Sequence, residues 1–244
     1  MERSLATDTR PLAVVVGSGG AIARSLLARW CESGLYDVVA VGRSHCDIQG
    51  VHSLTTDYSE ASLAEVTTAI SALGSNIERL VVTNGVLSGV DFSPERKVGD
   101  LTTASWQHVM SVNALTPMLV LSALWSFMRS STQPRVAVLT ARVGSLSDNE
   151  LGGWYSYRAS KAALNMMLKC AAIEVRRINN NAKLIAYHPG TVDSPLSKPF
   201  QRSVPEGKLF SPDFSAEQLD NLMTSAVPDG TLSYLDWAGQ AIDW

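Results

Sequence analysis

Short apolar runs alternate with amphipathic segments along most of this chain. Leu12–Val16 is wholly apolar and rich in valine, which is typical of a strand buried on both faces. The next segment, from Ala21 to about Ser33, has apolar residues at helical spacing, and Gly34 can end it. The same pattern predicts further strands at Tyr36–Val41, His52–Thr56, Leu80–Val82, Arg135–Leu139, Lys183–Tyr187 and Leu232–Leu235. It predicts further helices over Ala61–Leu73, Ala104–Met128 and Tyr157–Ile178, with Pro117 able to kink the second of these.

This alternation determines the expected fold class. Strands that alternate with helices form parallel β-α-β units with right-handed crossovers. We therefore expect α/β architecture over residues 1–244: a single Rossmann-type, doubly wound domain with a mostly parallel sheet of about seven strands flanked by helices. Two irregular segments, Ser88–Gly99 and Val192–Asp213, each follow a strand. Ligands bind beyond the carboxyl ends of such strands, so we expect residues 192–213 in particular to cover a substrate.

Composition narrows the function classes. The chain has 244 residues, 45% of them hydrophobic, and a formal net charge of −3. Its lysines and arginines are scattered, and its apolar runs are strand-sized, so we expect neither nucleic acid nor membrane as a partner. Met1–Arg10 lacks the apolar core of a signal peptide. The three cysteines lack metal-ligand spacing, which favours free thiols, no metal site and a cytoplasmic location.

A glycine-rich turn joins the first predicted strand to the first helix. Small residues there let the backbone approach a pyrophosphate, and the helix N-terminus offers free N–H groups and a positive dipole end. An ordinary tight turn would also use glycine, but three glycines in four residues favour nucleotide binding. The candidate phosphate-binding residues are Gly17, Ser18, Gly20, Ala21 and Ile22.

The end of the second strand indicates which dinucleotide binds. An acidic residue there would hold the ribose 2′-hydroxyl of NAD(H). The chain instead has Arg43 and Ser44, which can hold a 2′-phosphate by charge-assisted hydrogen bonds. The sequence therefore favours NADP(H) over NAD(H), although Arg43 could also be simply solvated. Asp57 could line the adenine or cap the following helix.

Tyr157 and Lys161 are the strongest candidates for chemistry. Residues four apart share one face of a helix, so the phenol and the ammonium can point into the same site. A nearby cation favours a phenolate and lowers the pKa of a tyrosine, so such a pair can exchange a proton with a substrate oxygen. Many surface helices carry the same pair by chance, so context decides.

Taken together, these motifs resemble the short-chain dehydrogenase/reductase family over essentially the whole chain. The matching segments are Val16–Ala23, Val82–Gly85, Asn113, Tyr157-x-x-x-Lys161 and Pro189–Ser194. A narrower likeness, to the C-factor and sniffer-like carbonyl reductases, rests on Arg142–Asn149, on Gly-Gly-Trp before the tyrosine, on His188–Asp193 and on Leu235–Trp244.

The resemblance implies hydride transfer between NADP(H) and a carbonyl or alcohol carbon. It makes Tyr157 the general acid/base and gives Lys161 two tasks, lowering the Tyr157 pKa and holding the nicotinamide ribose. It gives Asn113 a bound water beside Lys161. The remaining cofactor contacts that it implies are Asn84, Gly85, Pro189, Gly190 and Val192. Trp154, Tyr155, Leu196 and Phe200 would neighbour an apolar or aromatic substrate, with His188 in the pocket wall.

The serine that the family uses to bind the substrate oxygen is displaced. The family's register puts Ala141 at that position, whereas counting back from Tyr157 reaches Gly144, beside Ser145. Ser145 is our named candidate. Thr140 or a water is the alternative.

Two functions therefore compete. The first is an NADP(H)-dependent oxidoreductase that acts on a small carbonyl or alcohol compound. The second is an NADP(H)-binding signalling or regulatory protein with little or no turnover, which Ala141 favours. The resemblance also implies a homodimer or homotetramer formed through the helices at Ala104–Met128 and Tyr157–Ile178, although the apolar face of the second helix could instead cover the sheet.

Overall fold

The computed structural model describes residues 10–244, and its centre is one seven-stranded sheet. Every neighbouring pair of strands is parallel, and the strand order is β3-β2-β1-β4-β5-β6-β9. The seven strands are β1 (Leu12–Val16), β2 (Asp37–Gly42), β3 (Val51–Thr55), β4 (Ile77–Val82), β5 (Arg135–Leu139), β6 (Lys183–His188) and β9 (Leu232–Asp236). The predicted fold class is confirmed, and each predicted strand exists with small changes at its ends.

Helices cover both faces of the sheet. They are α1 (Ala21–Ser33), α2 (Glu60–Leu73), α3 (Thr103–Met110), α4 (Thr116–Ala123), α5 (Trp125–Ser130), α6 (Tyr155–Ile178) and α7 (Pro212–Ser225). One core cluster contains Val14, Leu80 and Leu164 of α6, and the other contains Val15, Ile185 and Trp30 of α1. Because β-strand side chains alternate between faces, the consecutive valines of β1 serve both cores, which explains why this strand reads as a continuous apolar run.

The helix predicted over Ala104–Met128 is not continuous. It divides into α3, a π-helical turn at Ser111–Leu115, then α4 and α5. Pro117 has no N–H to donate to the carbonyl of Asn113 four residues earlier, so the α-helical ladder cannot pass this point unchanged. The N–H of Thr116 bonds instead to the carbonyl of Ser111, five residues back. Proline therefore displaces the helix just where Asn113 lies.

The helix that carries Tyr157 begins two residues earlier than predicted, at Tyr155. It is preceded by Gly152, Gly153 and Trp154, all with positive φ. Most of its apolar face lies against the sheet, with Leu164, Leu168 and Ala172 buried in the core. The apolar face of α6 therefore mainly covers the sheet, which is one of the two roles that the sequence left open for it.

The irregular segment at residues 192–213 has some structure of its own. A two-residue strand β7 (Thr191–Val192) pairs with β8 (Leu209–Phe210), and a 3-10 helix at Lys198–Ser203 lies between them. The segment thus leaves the end of β6 and returns to α7 as a closed loop. No helix in residues 10–244 combines the length and apolarity needed to cross a membrane.

Candidate active site

Tyr157 and Lys161 lie together at the carboxyl edge of the sheet, one turn apart on α6. Lys161 is only 3% exposed, and its Nζ donates a hydrogen bond to the carbonyl oxygen of Leu139 at 2.9 Å. The same Nζ is 5.9 Å from the centroid of the Tyr157 ring. A Cβ built on Gly85 would be 3.6 Å from it, so Gly85 forms an adjacent wall of the site. The predicted pair is therefore brought into one site, in which the ammonium is buried and the phenol is half-buried.

The pKa values of this pair differ from the sequence-based expectation for the tyrosine. Burial raises the pKa of Tyr157 to about 12, and the nearby Tyr234 phenol adds to the rise. Burial lowers the pKa of Lys161 to about 8. Both shifts have the same physical cause, since a low-dielectric environment disfavours whichever form is charged. Neither cause of the shift involves the lysine charge, so the expected fall in the Tyr157 pKa is not seen.

Asn113 links the loop after β4 to α6, the helix that carries Tyr157 and Lys161. It is fully buried; its Oδ1 accepts from the N–H of Val86 at 2.7 Å, and its Nδ2 donates to the carbonyl of Val86 at 2.8 Å. A third bond runs from Nδ2 to Ser160 Oγ at 3.1 Å. A Cβ on Gly85 would be 3.7 Å from Asn113 Oδ1, which brings Asn113 to the same wall as Lys161. The side chain is thus held rigidly beside the ammonium.

The glycine turn has the geometry of a phosphate site. Gly17 has φ +87, and a Cβ there would collide with Thr83 Oγ1, which donates to the carbonyls of Val16 and Gly17. The N-cap of α1 is Gly20, which has no side chain with which to cap the helix. The first N–H groups of α1 therefore remain available to an anion.

A dinucleotide fits the residues that surround this turn. Asn84 Oδ1 is buried and, among residues 10–244, has no hydrogen-bond partner, which indicates that a ligand completes it. A Cβ on Gly19 would meet open space, whereas one on Gly42 would collide with Ser18 Oγ. Gly42 thus lets β2 approach the turn closely, whereas the turn is open on the side of Gly19.

The end of β2 presents polar groups to solvent. Arg43 and Ser44 are exposed, and the Arg43 guanidinium makes no hydrogen bond or ion pair within the described chain. The nearest acidic residue along the chain, Asp47, is paired with Arg24 at 2.8 Å. Hydrogen bonds from the Ser59 side chain and from its N–H lower the Asp57 pKa, and Ser59 is the residue that caps α2. The capping role considered for Asp57 therefore belongs to Ser59.

The turn at Pro189-Gly190 is held by aromatic rings. Gly190 has φ +74, and a Cβ there would press on the rings of Phe210 and Trp237, which lie 4.6 Å apart between centroids. Val192 is buried in β7, immediately after the turn. The segment expected to position a nicotinamide thus has a rigid support.

Ser145 and Thr140 are the two candidates for the hydroxyl that the family places near the tyrosine, and Ala141 occupies the position that the family's register assigns to it. Ala141 is buried, and its carbonyl accepts a 2.6 Å hydrogen bond from Tyr234. Ser145 Oγ accepts from the N–H of Asp148 at 3.1 Å and lies 3.2 Å from Ser147 Oγ, so it organises its own loop. Thr140 Oγ1 is buried and has no partner in the described chain.

An aromatic wall stands beside Tyr157. The Trp154 and Tyr157 rings are 6.1 Å apart, and Trp154 also meets Phe200 of the 192–213 segment edge-on at 5.2 Å. Tyr155 and Leu196 are more than a third exposed and make no such contact. Trp154 and Phe200 are thus the two pocket candidates that the structure joins to the tyrosine.

His188 lies at the end of β6, near the ion pairs that Arg142 forms. Arg142 bridges Asp236 at 3.1 Å and Asp148 at 3.2 Å. Burial lowers the pKa of His188 to about 4, with a further contribution from Arg142. The imidazole is therefore neutral near pH 7, which suits the wall position expected for it.

Several site residues have no signal in the sequence. The carbonyl of Leu139 anchors Lys161, but any residue can supply a carbonyl. Tyr234 lies 77 positions after Tyr157 and reaches Ala141 only because β9 joins the sheet. Glu95 contacts the start of α6 from a loop, and nothing in the surrounding sequence distinguishes it.

Comparisons with known proteins agree with the fold and the motifs. The family model described as short chain dehydrogenase matches residues 11–204. C-signal of Myxococcus xanthus is 31% identical over 147 residues, which are 60% of this chain and 83% of that protein. Benzil reductase ((S)-benzoin forming) of Bacillus cereus is 26% identical over 208 residues, 78% of each chain. The NADPH-bound carbonyl reductase from chicken fatty liver has the same fold, with a TM-score of 0.80 at 19% identity over 96% of this chain and 100% of that one. This chain belongs to the short-chain dehydrogenase/reductase family of oxidoreductases.

Proposed function

We propose that this protein is an NADP(H)-dependent reductase of aromatic carbonyl compounds, with Tyr157 as the general acid. One observation carries the proposal: the Lys161 ammonium is fixed on the Leu139 carbonyl, next to Gly85 and close to the Tyr157 ring. Burying a charged ammonium costs free energy of folding. On a surface helix without a functional site, the lysine would keep its charge in water. Retention of the buried ammonium beside a half-buried phenol supports a proton-transfer site.

The cofactor supplies the hydride when it is bound. In our account the uncapped start of α1 receives the pyrophosphate and Asn84 Oδ1 receives a donor from the dinucleotide. Arg43, which is exposed and free of partners within residues 10–244, holds the 2′-phosphate and makes NADP(H) the preferred form. Ser44 adds a hydrogen bond.

The proton moves through the phenol. With a pKa of about 12, Tyr157 keeps its proton at neutral pH, which suits donation to a forming alkoxide, a stronger base than phenolate. Lys161 stabilises the phenolate that remains, because the two charges then attract in a buried site. Asn113 holds the loop that forms the wall beside Lys161, and a water bound there would return the proton.

Thr140 is the proposed second donor to the substrate oxygen. It lies between Leu139, whose carbonyl binds Lys161, and Ala141, whose carbonyl binds Tyr234. Its hydroxyl is buried and unpartnered among the described residues, whereas the hydroxyl of Ser145 is already bonded within its loop. A buried donor without a partner needs one, and a substrate oxygen would provide it.

The substrate class follows from the aromatic wall. Trp154 and Phe200 offer ring edges and faces next to Tyr157, and such surfaces favour flat aromatic groups. The likeness to a benzil reductase supports the same class. Aryl ketones and vicinal aryl diketones are therefore the first compounds to test.

The test follows oxidation of NADPH, and separately of NADH, with matched aryl and aliphatic carbonyl compounds. We expect turnover of aryl ketones with NADPH and weak turnover with NADH or aliphatic ketones. Tight NADPH binding without turnover of any compound would contradict the proposal and favour the binding protein that Ala141 suggests. Faster turnover with NADH would refute the cofactor assignment alone.

Assembly is a separate proposal. Leu115, Met166 and Ile173 are large apolar residues that α6 and the π-helical turn expose. We propose that these elements pair two copies into a homodimer, with a homotetramer as the alternative. Sedimentation equilibrium distinguishes monomer, dimer and tetramer, and a monomer at micromolar concentration would contradict the proposal.

A further inference from the structure

The carboxylate of Glu95 is buried against the first turn of the helix that carries Tyr157. Glu95 is only 4% exposed. Its Oε2 accepts a hydrogen bond from the N–H of Ser156 at 3.1 Å, and its Oε1 accepts one from the Ser156 hydroxyl. Its main-chain carbonyl accepts the N–H of Trp154 at 2.5 Å. One residue therefore makes three hydrogen bonds to the start of α6.

A buried carboxylate requires compensation, and here the helix supplies it. No cation within residues 10–244 forms a salt bridge with Glu95. The N-cap residue of α6, Trp154, provides no side-chain cap. Glu95 fills that role from outside the helix, placing negative charge at the positive end of the dipole and satisfying a free N–H group.

These bonds hold Trp154 and Ser156, and Ser156 directly precedes Tyr157. Trp154 in turn packs its ring against Tyr157. Glu95 is 61 positions away from Ser156 in the chain, so it ties the segment at 88–99 to the catalytic helix. A Cβ on Gly153 would be 3.4 Å from the Glu95 carbonyl, which shows how closely the two segments approach.

We propose that Glu95 is a positioning residue for Tyr157. This inference rests on the proposed function, in which Tyr157 transfers the proton. Glu95 fixes the first turn of α6, and with it the height and direction of the phenol relative to the substrate oxygen. Small errors in such geometry cost rate more than affinity, because proton transfer depends steeply on alignment.

Two variants test the anchor. Glu95→Gln keeps the shape but replaces one of the two acceptor oxygens with an amide donor and removes the negative charge, and Ser156→Ala removes the hydroxyl donor. Each variant should lower kcat about tenfold, with the KM for the carbonyl compound and the Kd for NADPH unchanged within about twofold. The solvent deuterium isotope effect on kcat should rise, because the misaligned proton transfer becomes more rate-limiting. The double variant should be no slower than Glu95→Gln, since the hydroxyl bond that Ser156→Ala removes is one of the contacts that Glu95→Gln already disturbs.

A matched control separates positioning from general stability. Ser59→Ala removes the side-chain cap of α2, which is a comparable loss at a helix remote from Tyr157. It should lower the melting temperature without changing kcat or the isotope effect. Wild-type kcat in Glu95→Gln, or a fall in kcat with an unchanged isotope effect, would overturn the proposal.

Amide hydrogen exchange gives a readout that needs no substrate. The N–H groups of Trp154 and Ser156 should exchange faster in Glu95→Gln than in the wild type and in Ser59→Ala. Unchanged exchange of these two N–H groups in Glu95→Gln would contradict the role of Glu95 in holding the start of α6, even if the enzyme is active. Absence of carbonyl turnover in the wild type would instead refute the proposed function, so the two failures are distinguishable.

Discussion

Lys161 Nζ donates a 2.9 Å hydrogen bond to the carbonyl oxygen of Leu139, at the point where β5 ends. This single bond fixes a buried cation at the edge of the sheet where Gly85 and the Tyr157 ring also meet. Folding has to desolvate the ammonium to place it there, so the site is held at a cost in stability. Replacing Lys161 by an uncharged residue should therefore remove the activity and raise the stability.

Lys161→Met should stabilise the protein near neutral pH while it abolishes turnover. Methionine has similar length and no charge, so the desolvation cost disappears and only the bond to Leu139 is lost. From the lowered pKa we expect a net gain of about 2 kcal/mol in the free energy of unfolding at pH 7. Urea denaturation of the two proteins measures it.

The gain should depend on pH in a defined direction. The pKa of Lys161 falls from 10.5 to about 8 on folding. Between these values the unfolded chain binds more protons than the folded one, so wild-type stability rises with pH there. The advantage of Lys161→Met should shrink from pH 8 upward and vanish above about pH 10.5. An advantage that grows with pH would contradict the assignment.

Thr140→Val and Ser145→Ala form a matched pair that identifies the second donor. Thr140→Val should lower kcat on the order of 100-fold with little change in NADPH affinity, because it removes one donor to the reacting oxygen. Ser145→Ala should lower stability by about 1 kcal/mol through the lost bond to Asp148, with kcat close to wild type. The opposite ranking of the two kcat values would return the role to Ser145.

Arg43→Gln should reduce the preference for NADP(H). The Kd for NADPH should rise about tenfold or more, whereas the Kd for NADH stays the same, because only the 2′-phosphate contact is lost. Nucleotide fluorescence titration measures both constants. Arg129→Gln, in the last turn of α5, is the control and should change neither. Equal weakening of both nucleotides by Arg43→Gln would argue against a 2′-phosphate contact.

Asn113→Ala should cost stability as well as activity. It leaves the partly buried N–H and carbonyl of Val86 without their partner, which costs about 2 kcal/mol. The loop that bears Gly85 should then loosen beside Lys161, and the pH profile of kcat should change with it. A full loss of kcat with unchanged thermal stability would show that Asn113 acts only through a bound water.

The centre of the sheet was predictable because its strands are short, mostly apolar and buried on both faces, as β1 and β2 are. Leu12–Val16 and the glycines after it carry both the strand and the turn in adjacent residues. The break in the long helix was only half predictable. Pro117 indicates that the helix is interrupted. The sequence does not show that the backbone hydrogen bonds take a π-helical pattern around Asn113.

The site was predictable where side chains carry the chemistry and unpredictable where the backbone or burial does. Tyr157 and Lys161 are readable from their spacing, but the direction of the Tyr157 pKa is not, since desolvation depends on the packing around it. The Leu139 carbonyl and the Glu95 anchor come from segments that meet only in the folded chain. The same is true of Ser145, whose bond to Asp148 appears only once the loop is built.

The most direct test of the account is a single-turnover measurement with Tyr157→Phe. Protein saturated with NADPH is mixed with an aryl ketone, and the disappearance of NADPH fluorescence is followed, with NADPH affinity measured separately. We predict unchanged NADPH binding and a loss of the single-turnover rate by about 1,000-fold or more, since the general acid is gone. A rate in Tyr157→Phe within tenfold of the wild type would contradict Tyr157 as the proton donor.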